Sequence, residues 1–211
     1  MRPVKSPMAT TEPSPDLSPK SQAILDAAER LFVRYGYRKS SMDDVAREAG
    51  IAKGTVYLYY AGKEALFRAL LERTGANVLQ ASETAAHAPL PFEDRLFGVL
   101  NAFYGYFYER FSDSGHLQEL GEIRGSLGQD LTEQLRQNHW QILVDLLGRA
   151  EAEGEVGLSQ RALTPQDVAM TLIAAASGAK VMLAPGAGIK AYADALKRTS
   201  HVFAAALSPN T

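Results

Sequence analysis

From Ile24 onward, Ala27, Ala28, Leu31, Phe32 and Tyr35 recur at three- and four-residue intervals, the spacing of one helical face. Ser18-Pro19 supplies a hydroxyl cap followed by proline at the first helical position, and Gly36 is a stop, so a helix is predicted over 19–35. A short second helix starts after Ser41, with Asp44 at the third position as a capping-box variant, Asp standing where Glu or Gln is usual, and ends at Gly50. A third begins at Lys53. At about 100° per residue, Val56 and Tyr60 point together and pack inward, while Gly54, Thr55, Leu58 and Tyr59 spread over the other side. Leu66, Phe67, Leu70, Leu71, Val78 and Leu79 mark a fourth helix from Glu64 to about Ala85. The pattern then predicts helices over 92–112, 115–127 and 129–153, from Thr164-Pro165 to about Leu183, and from Ile189 to Leu207. No strand and no internal repeat emerges, so the chain reads as all-α with about nine helices.

Composition narrows the function classes without choosing among them. The 211 residues suffice for a sizeable core, and the absence of cysteine excludes a disulfide framework, a thiolate nucleophile and a thiolate metal site. The first 18 residues, rich in Pro, Ser and Thr, read as a disordered arm, and no stretch approaches a targeting segment or a membrane span, so a cytoplasmic location is expected. Charge is more informative when divided. Residues 1–68 hold 11 Lys and Arg against 8 Asp and Glu, whereas the remainder hold 11 against 16, so the net charge of −2 conceals a cationic N-terminal segment.

That segment contains two short helices joined by a glycine turn, SMDDVAREAGIAKGTVYLYYAGKEALF over 41–67. Spacing alone fits either an αα-corner in a bundle or a helix-turn-helix whose second helix enters the major groove. Phe32 and Gly36, Ser41, Val45-Ala46, Ala49-Gly50, Tyr57, Tyr59-Tyr60 and Lys63 stand in the order of the DNA-binding domain of the tetracycline-repressor (TetR) family, which the segment from Ile24 to Phe67 resembles. The resemblance implies phosphate contacts from Ser41, Lys53, Tyr57, Tyr59 and Lys63, and base-edge contacts from Thr55 and Leu58. Lys53, Gly54 and Thr55 would open the reading helix. Three positions depart from the pattern: Ala52 replaces a serine cap, Gly62 a polar cap, and Tyr60 a more common Phe. The implied organisation is a three-helix DNA-binding domain over 19–67 and a helical ligand-binding and dimerisation domain over 68–211. The implied partners are a double-stranded DNA operator, a second copy of the chain and a small-molecule effector.

In the second part, residues 92–111 concentrate aromatic side chains. Phe97, Tyr104, Tyr108 and Phe111 follow one helical face, with Phe103 and Phe107 on the next. One reading is a core helix; the other is a wall of an apolar cavity bordered by Tyr104, Tyr108, Phe111, His139 and Trp140, with tyrosine hydroxyls orienting the ligand. The last two helices carry Ala169, Ala174, Ala175, Ala176, Gly178 and Ala179, then Tyr192, Ala195, Leu196, Val202 and Phe203. Small residues allow close helix packing, either within the chain or in the four-helix dimer contact that the resemblance implies.

An enzyme finds little support. No nucleophile elbow, phosphate loop, dinucleotide fingerprint or His-Glu-x-x-His helix is present. His116 and Glu122 are six positions apart and do not share a helical face, which argues against metal ligation. No catalytic residue, metal or cofactor is expected. The alternatives to a ligand-released repressor are a ligand-independent DNA-binding regulator and a helical protein-interaction module.

Overall fold

The computed structural model describes residues 18–111, 114–184 and 187–209. The expected arm lies outside them apart from Ser18, as does the side chain of Phe111. Among the described residues all regular structure is helical: α1 (Pro19–Tyr35), α2 (Met42–Ala49), α3 (Lys53–Tyr59), α4 (Lys63–Ala86), α5 (Phe92–Leu100), a π-helical segment (Asn101–Gly105), α6 (Tyr106–Phe111), α7 (Leu117–Leu127), α8 (Gln129–Ala152), α9 (Pro165–Ala179) and α10 (Ile189–Leu207). A short 3₁₀ turn (Ser159–Arg161) precedes α9. Because α5, the π-helical segment and α6 follow without a break, these are nine helical rods, as the periodicity anticipated.

The start signals work through the chemistry expected of them. Ser18 Oγ accepts from Ser21 N–H at 3.2 Å ahead of Pro19. At α2, Ser41 N–H donates to Asp44 Oδ2 at 3.0 Å while Asp44 N–H donates to Ser41 Oγ at 3.2 Å, so the shorter aspartate completes the box. Thr164 and Asp167 repeat this arrangement at α9. Hydrogen bonds from Ser41 and Thr164 hold both carboxyls below their ordinary range. Their contribution is therefore present above the usual aspartate range and is lost as pH falls through the lowered value. Gly50 ends α2 at φ 66°, ψ 29°, a left-handed conformation that glycine adopts without a Cβ penalty.

Two departures from the regular pattern matter. The helix expected to reach Leu183 ends at Ala179, and Lys180–Leu183 continue as turns. Val181 and Met182 are 83% and 86% exposed, so no burial offsets the cost of extending the rod. The π-helical segment breaks the assumed spacing of the aromatic helix, since one wider turn shifts every later side chain around the axis. Gly105 accommodates it: a Cβ there would lie 2.6 Å from Asn101 Oδ1.

The apolar side chains form two clusters. The first joins Ile24, Phe32, Val45, Val56, Leu66 and Phe67, with Leu120 of α7 completing it. The second packs α5, α8, α9 and α10 around Leu96, Leu143, Leu147, Leu172 and Leu196. Helix α4 serves both, Leu66, Phe67 and Leu70 entering the first and Ala86 the second. Polar ties follow the same seam. Arg68 makes a two-pronged contact with Asp130, 2.9 and 2.7 Å, and holds that carboxyl down to about 2. Arg38 N–H donates to Glu119 Oε1 at 2.6 Å, and Ser114 Oγ–H donates to Val33 C=O at 2.9 Å.

Leu120 thus supports the helix-turn-helix from outside it. Leu120→Ala is expected to destabilise the protein by about 2–4 kcal/mol, through lost burial and the cavity left behind. Urea unfolding followed by circular dichroism measures the change.

Candidate nucleic-acid interface and the cavity behind it

Helix α3 is only seven residues long and has no side-chain cap at Ala52. It is held by burial. Val56 is fully enclosed, and the hydroxyl of Tyr60 lies 2.8 Å from Ser21 Oγ of α1. With that face turned inward, the opposite one is presented to solvent: Leu58 is 85% exposed and Tyr57 44%, beside exposed Lys53 and Gly54 and half-buried Thr55. An apolar tip that exposed has no role in the packing. Ser18 Oγ–H donates to the hydroxyl of Tyr59 at 3.4 Å, which places Tyr59 against the start of α1.

The two lysines have different environments. Lys53 Nζ pairs with Asp43 Oδ1 at 2.7 Å, both side chains more than half exposed. Asp43 raises the Lys53 pKa, and a solvated pair of this kind is readily exchanged for a phosphate. Lys63 Nζ instead donates to the carbonyls of Tyr37 (3.0 Å), Ser40 (2.9 Å) and Arg38 (3.5 Å), and lies 4.4 Å from the centre of the Tyr37 ring. An ammonium has three donors, and all three are spent on the α1–α2 turn. Ser41 is likewise committed, its hydroxyl donating to Asp44 Oδ2 at 2.6 Å while closing the capping box. The outward face is therefore left to Thr55, Tyr57 and Leu58, with Lys53 held only by its exposed pair with Asp43.

Behind the first core lies a cavity of about 350 Å³, mostly apolar in its walls. Phe32, Val33 and Phe67 form one side, and Tyr104, Phe107, Tyr108 and Tyr192 the other. Of the expected cavity residues, Tyr104 and Tyr108 are on this wall, whereas His139 and Trp140 are not. His139 is buried and stacked on Phe103, ring centres 3.8 Å apart, with both ring nitrogens lacking a hydrogen-bond partner. Burial lowers its pKa to about 3, so the ring is neutral and serves as packing. Trp140 packs against the second core. Both residues belong to α8, and the face that carries them packs against Phe103 and the second core instead of the void.

Sequence reasoning missed the contributions of α1, α7 and the end of α9: Glu29, Val33, Leu117, Gly121, Arg124, Ser177 and Lys180. No periodicity brings positions so distant to one void. The expected interface residues divide between the inside and the outside of the chain. Tyr192 is 2% exposed, and its hydroxyl donates to Ala176 C=O at 3.0 Å. Ala169, Ala176 and Leu196 are buried within the chain, while Met170, Ala174, Gly178, Val202 and Ala206 lie on the outer faces of α9 and α10.

The lysine environments can be separated experimentally. Lys63→Met is expected to lower stability by about 1–3 kcal/mol, since three carbonyls of a half-buried turn lose their charged donor. Lys53→Ala is expected to leave the unfolding midpoint unchanged within error. A thermal or urea melt of the two variants measures both outcomes.

The comparisons with known proteins agree with this geometry. Residues 24–70 match the profile of bacterial regulatory proteins of the tetR family. An uncharacterised HTH-type transcriptional regulator of Bacillus subtilis, YhgD, is 26% identical over 152 residues, which span 72% of this chain and 76% of that protein. The fatty acid metabolism regulator protein of the same organism is 34% identical over 86 residues, covering 41% of this chain and 44% of its own length. Among solved structures, a putative TetR-family transcriptional regulator from Mesorhizobium loti superposes with a TM-score of 0.65 at 19% identity, over 90% of this chain and 97% of that one. The last likeness establishes a common fold, and the profile match falls on the helices that carry the exposed Tyr57 and Leu58. Residues 24–70 thus carry the sequence signature of the tetR family of bacterial regulatory proteins, and the chain as a whole shares the fold of a solved TetR-family regulator.

Proposed function

We propose that the protein is a homodimeric repressor, released from its operator by a mainly apolar small molecule held in the cavity behind the reading head. In this reading residues 19–67 form the DNA-binding domain and 68–211 the regulatory and dimerisation domain. Thr55 and Leu58 meet base edges, where a methyl or an apolar tip favours thymine methyls, and Gly54 lets the helix start approach the duplex. Lys53, Tyr57 and Tyr59 meet phosphates. Ser41 and Lys63 contribute through the backbone they hold, with any phosphate contact competing against Asp44 and the three carbonyls. The exposed faces of α9 and α10, with Met170, Ala174, Val202 and Ala206, meet their symmetry equivalents in the partner copy and set two heads about one helical turn, ~34 Å, apart.

The observation that carries the ligand-release reading is the shared wall of the cavity. Phe32 and Val33 of α1 and Phe67 of α4 belong to the reading head, and they face Tyr104 and Tyr108 of the aromatic rod across about 350 Å³. An occupant that fills this volume contacts both sides. Arg110 of α6 also clasps Glu29 of α1 at 2.7 Å, beside Arg73 of α4 at 3.0 Å, so movement of the rod is transmitted to α1 through a charged link as well as through packing. Release requires the ligand to prefer a dimer whose head spacing no longer fits the operator, and by linkage DNA must weaken ligand binding by the same factor.

A retardation assay on the DNA upstream of the gene tests the DNA-binding reading. Replacing Lys53 by Ala in both subunits is expected to reduce the slope of log affinity against log salt by about 1.8, at ~0.9 per phosphate. Asp43→Asn, which frees Lys53 and removes a nearby negative charge, is expected to tighten binding. Leu58→Arg is expected to shift the selected consensus toward guanine at one position per half-site, as measured by selection from random DNA. An unchanged consensus would exclude Leu58 as a reader, and salt-independent binding would exclude the phosphate assignments. For the switch, Tyr108→Ala is expected to leave ligand-free operator affinity unchanged and to weaken release by an inducing ligand.

A further inference from the structure

We infer that the cavity is built for an amphipathic carboxylate, an apolar tail carrying a single anionic head, with Lys180 and Arg124 as its counter-charges. The inference rests on the ligand-release reading above and specifies the chemistry of the ligand. The wall is mostly apolar, and its polar groups can be accounted for one by one. Glu29 has one carboxylate oxygen on Arg73 and the other on Arg110, at 3.0 and 2.7 Å. The Tyr104 hydroxyl is bonded to Ser177, and Thr74 to Tyr106. Tyr108 donates to the carbonyl of Ala187 and Tyr192 to that of Ala176. The tyrosine hydroxyls are thus already spent within the protein.

Two charged groups on the wall remain. Arg124 on α7 and Lys180 just after α9 have no carboxylate partner among the described residues. The Lys180 ammonium, though exposed, lies 5.8 Å from the centre of the Tyr108 ring, which places it beside a wall residue of the cavity. With the one acidic group on the wall neutralised by two arginines, the uncompensated charge is positive. Such a site favours an anion over a neutral or cationic head on the same tail, and a guanidinium pairs with a planar carboxylate through two parallel donors. A polyanion is disfavoured, because most of the wall offers it no partner.

Isothermal titration of the dimer with decanoate, decanol and decylamine, each below its micellar concentration, tests this. Decanoate is expected to bind at least tenfold more tightly than decanol, and decylamine most weakly. Lys180→Ala and Arg124→Ala are each expected to cut the decanoate-to-decanol ratio by about three- to tenfold while leaving decanol affinity unchanged; both residues lie on the solvent side of the wall, which limits the effect. Gly121→Phe identifies the site. A Cβ at Gly121 meets nothing within 4 Å, so the ring can be housed at the cavity wall without moving the backbone, and it should weaken both acid and alcohol. Equal affinity for acid and alcohol, or a ratio unmoved by both charge variants, would overturn the carboxylate assignment while leaving the cavity as an apolar ligand site. Binding of none of the three probes would overturn both. Decanoate binding that leaves operator affinity unchanged would keep the carboxylate site and remove its role in release.

Discussion

Helices of eight and seven residues do not persist in water by themselves, and the geometry of the reading surface depends on that constraint. Helices α2 and α3 keep their orientation because Val45 and Val56 are buried against Phe32, Leu66 and Phe67, and because Lys63 ties the preceding turn through three carbonyls. Whatever disturbs that core disturbs the outward face carrying Thr55 and Leu58. The core is not closed by the first three helices. It needs the start of α4 and Leu120 of α7, so the exposed face of α3 is supported by elements of the second part of the chain.

This support gives the proposed switch a direct mechanical route. The cavity adjoins the first core at Phe32 and Phe67 and the second at Tyr104 and Tyr192. Helix α4, about 36 Å long at 1.5 Å per residue, runs continuously between them. A rigid rod shared by two packed clusters transmits a displacement rather than absorbing it, since close-packed interiors change by repacking and not by continuous deformation. The Glu29 link adds a polar constraint at the same seam. Its side chain is only 17% exposed, so its two arginine contacts are screened less than those of surface pairs.

The local grammar of the chain was legible from residue order. Caps at Ser18, Ser41 and Thr164, the left-handed stop at Gly50 and the inward placement of Val56 depend on neighbours within a few positions, and the periodicity located nine rods within a few residues of their ends. The asymmetry of charge and the spacing of Tyr57, Tyr59 and Lys63 pointed to the family for the same reason. The pairing of α8 with the aromatic rod has no local signal, so nothing in the order of residues showed that His139 would stack on Phe103 and Trp140 pack against the second core, away from the cavity.

The helical class, the element order and the inward and outward faces of α3 were therefore fixed by residue order, because hydrogen-bond period, capping and turn chemistry are properties of short segments. Only the tertiary structure decided which side chains are spent and which are free. Lys53 and Lys63 look alike as letters, yet one sits in an exchangeable surface pair and the other inside a cage of carbonyls. Likewise Lys180 and Arg124 are 56 positions apart and border one void only because α7, α9 and the aromatic rod fold around it. Satisfaction of a polar group is a statement about distant neighbours, and no local pattern encodes it.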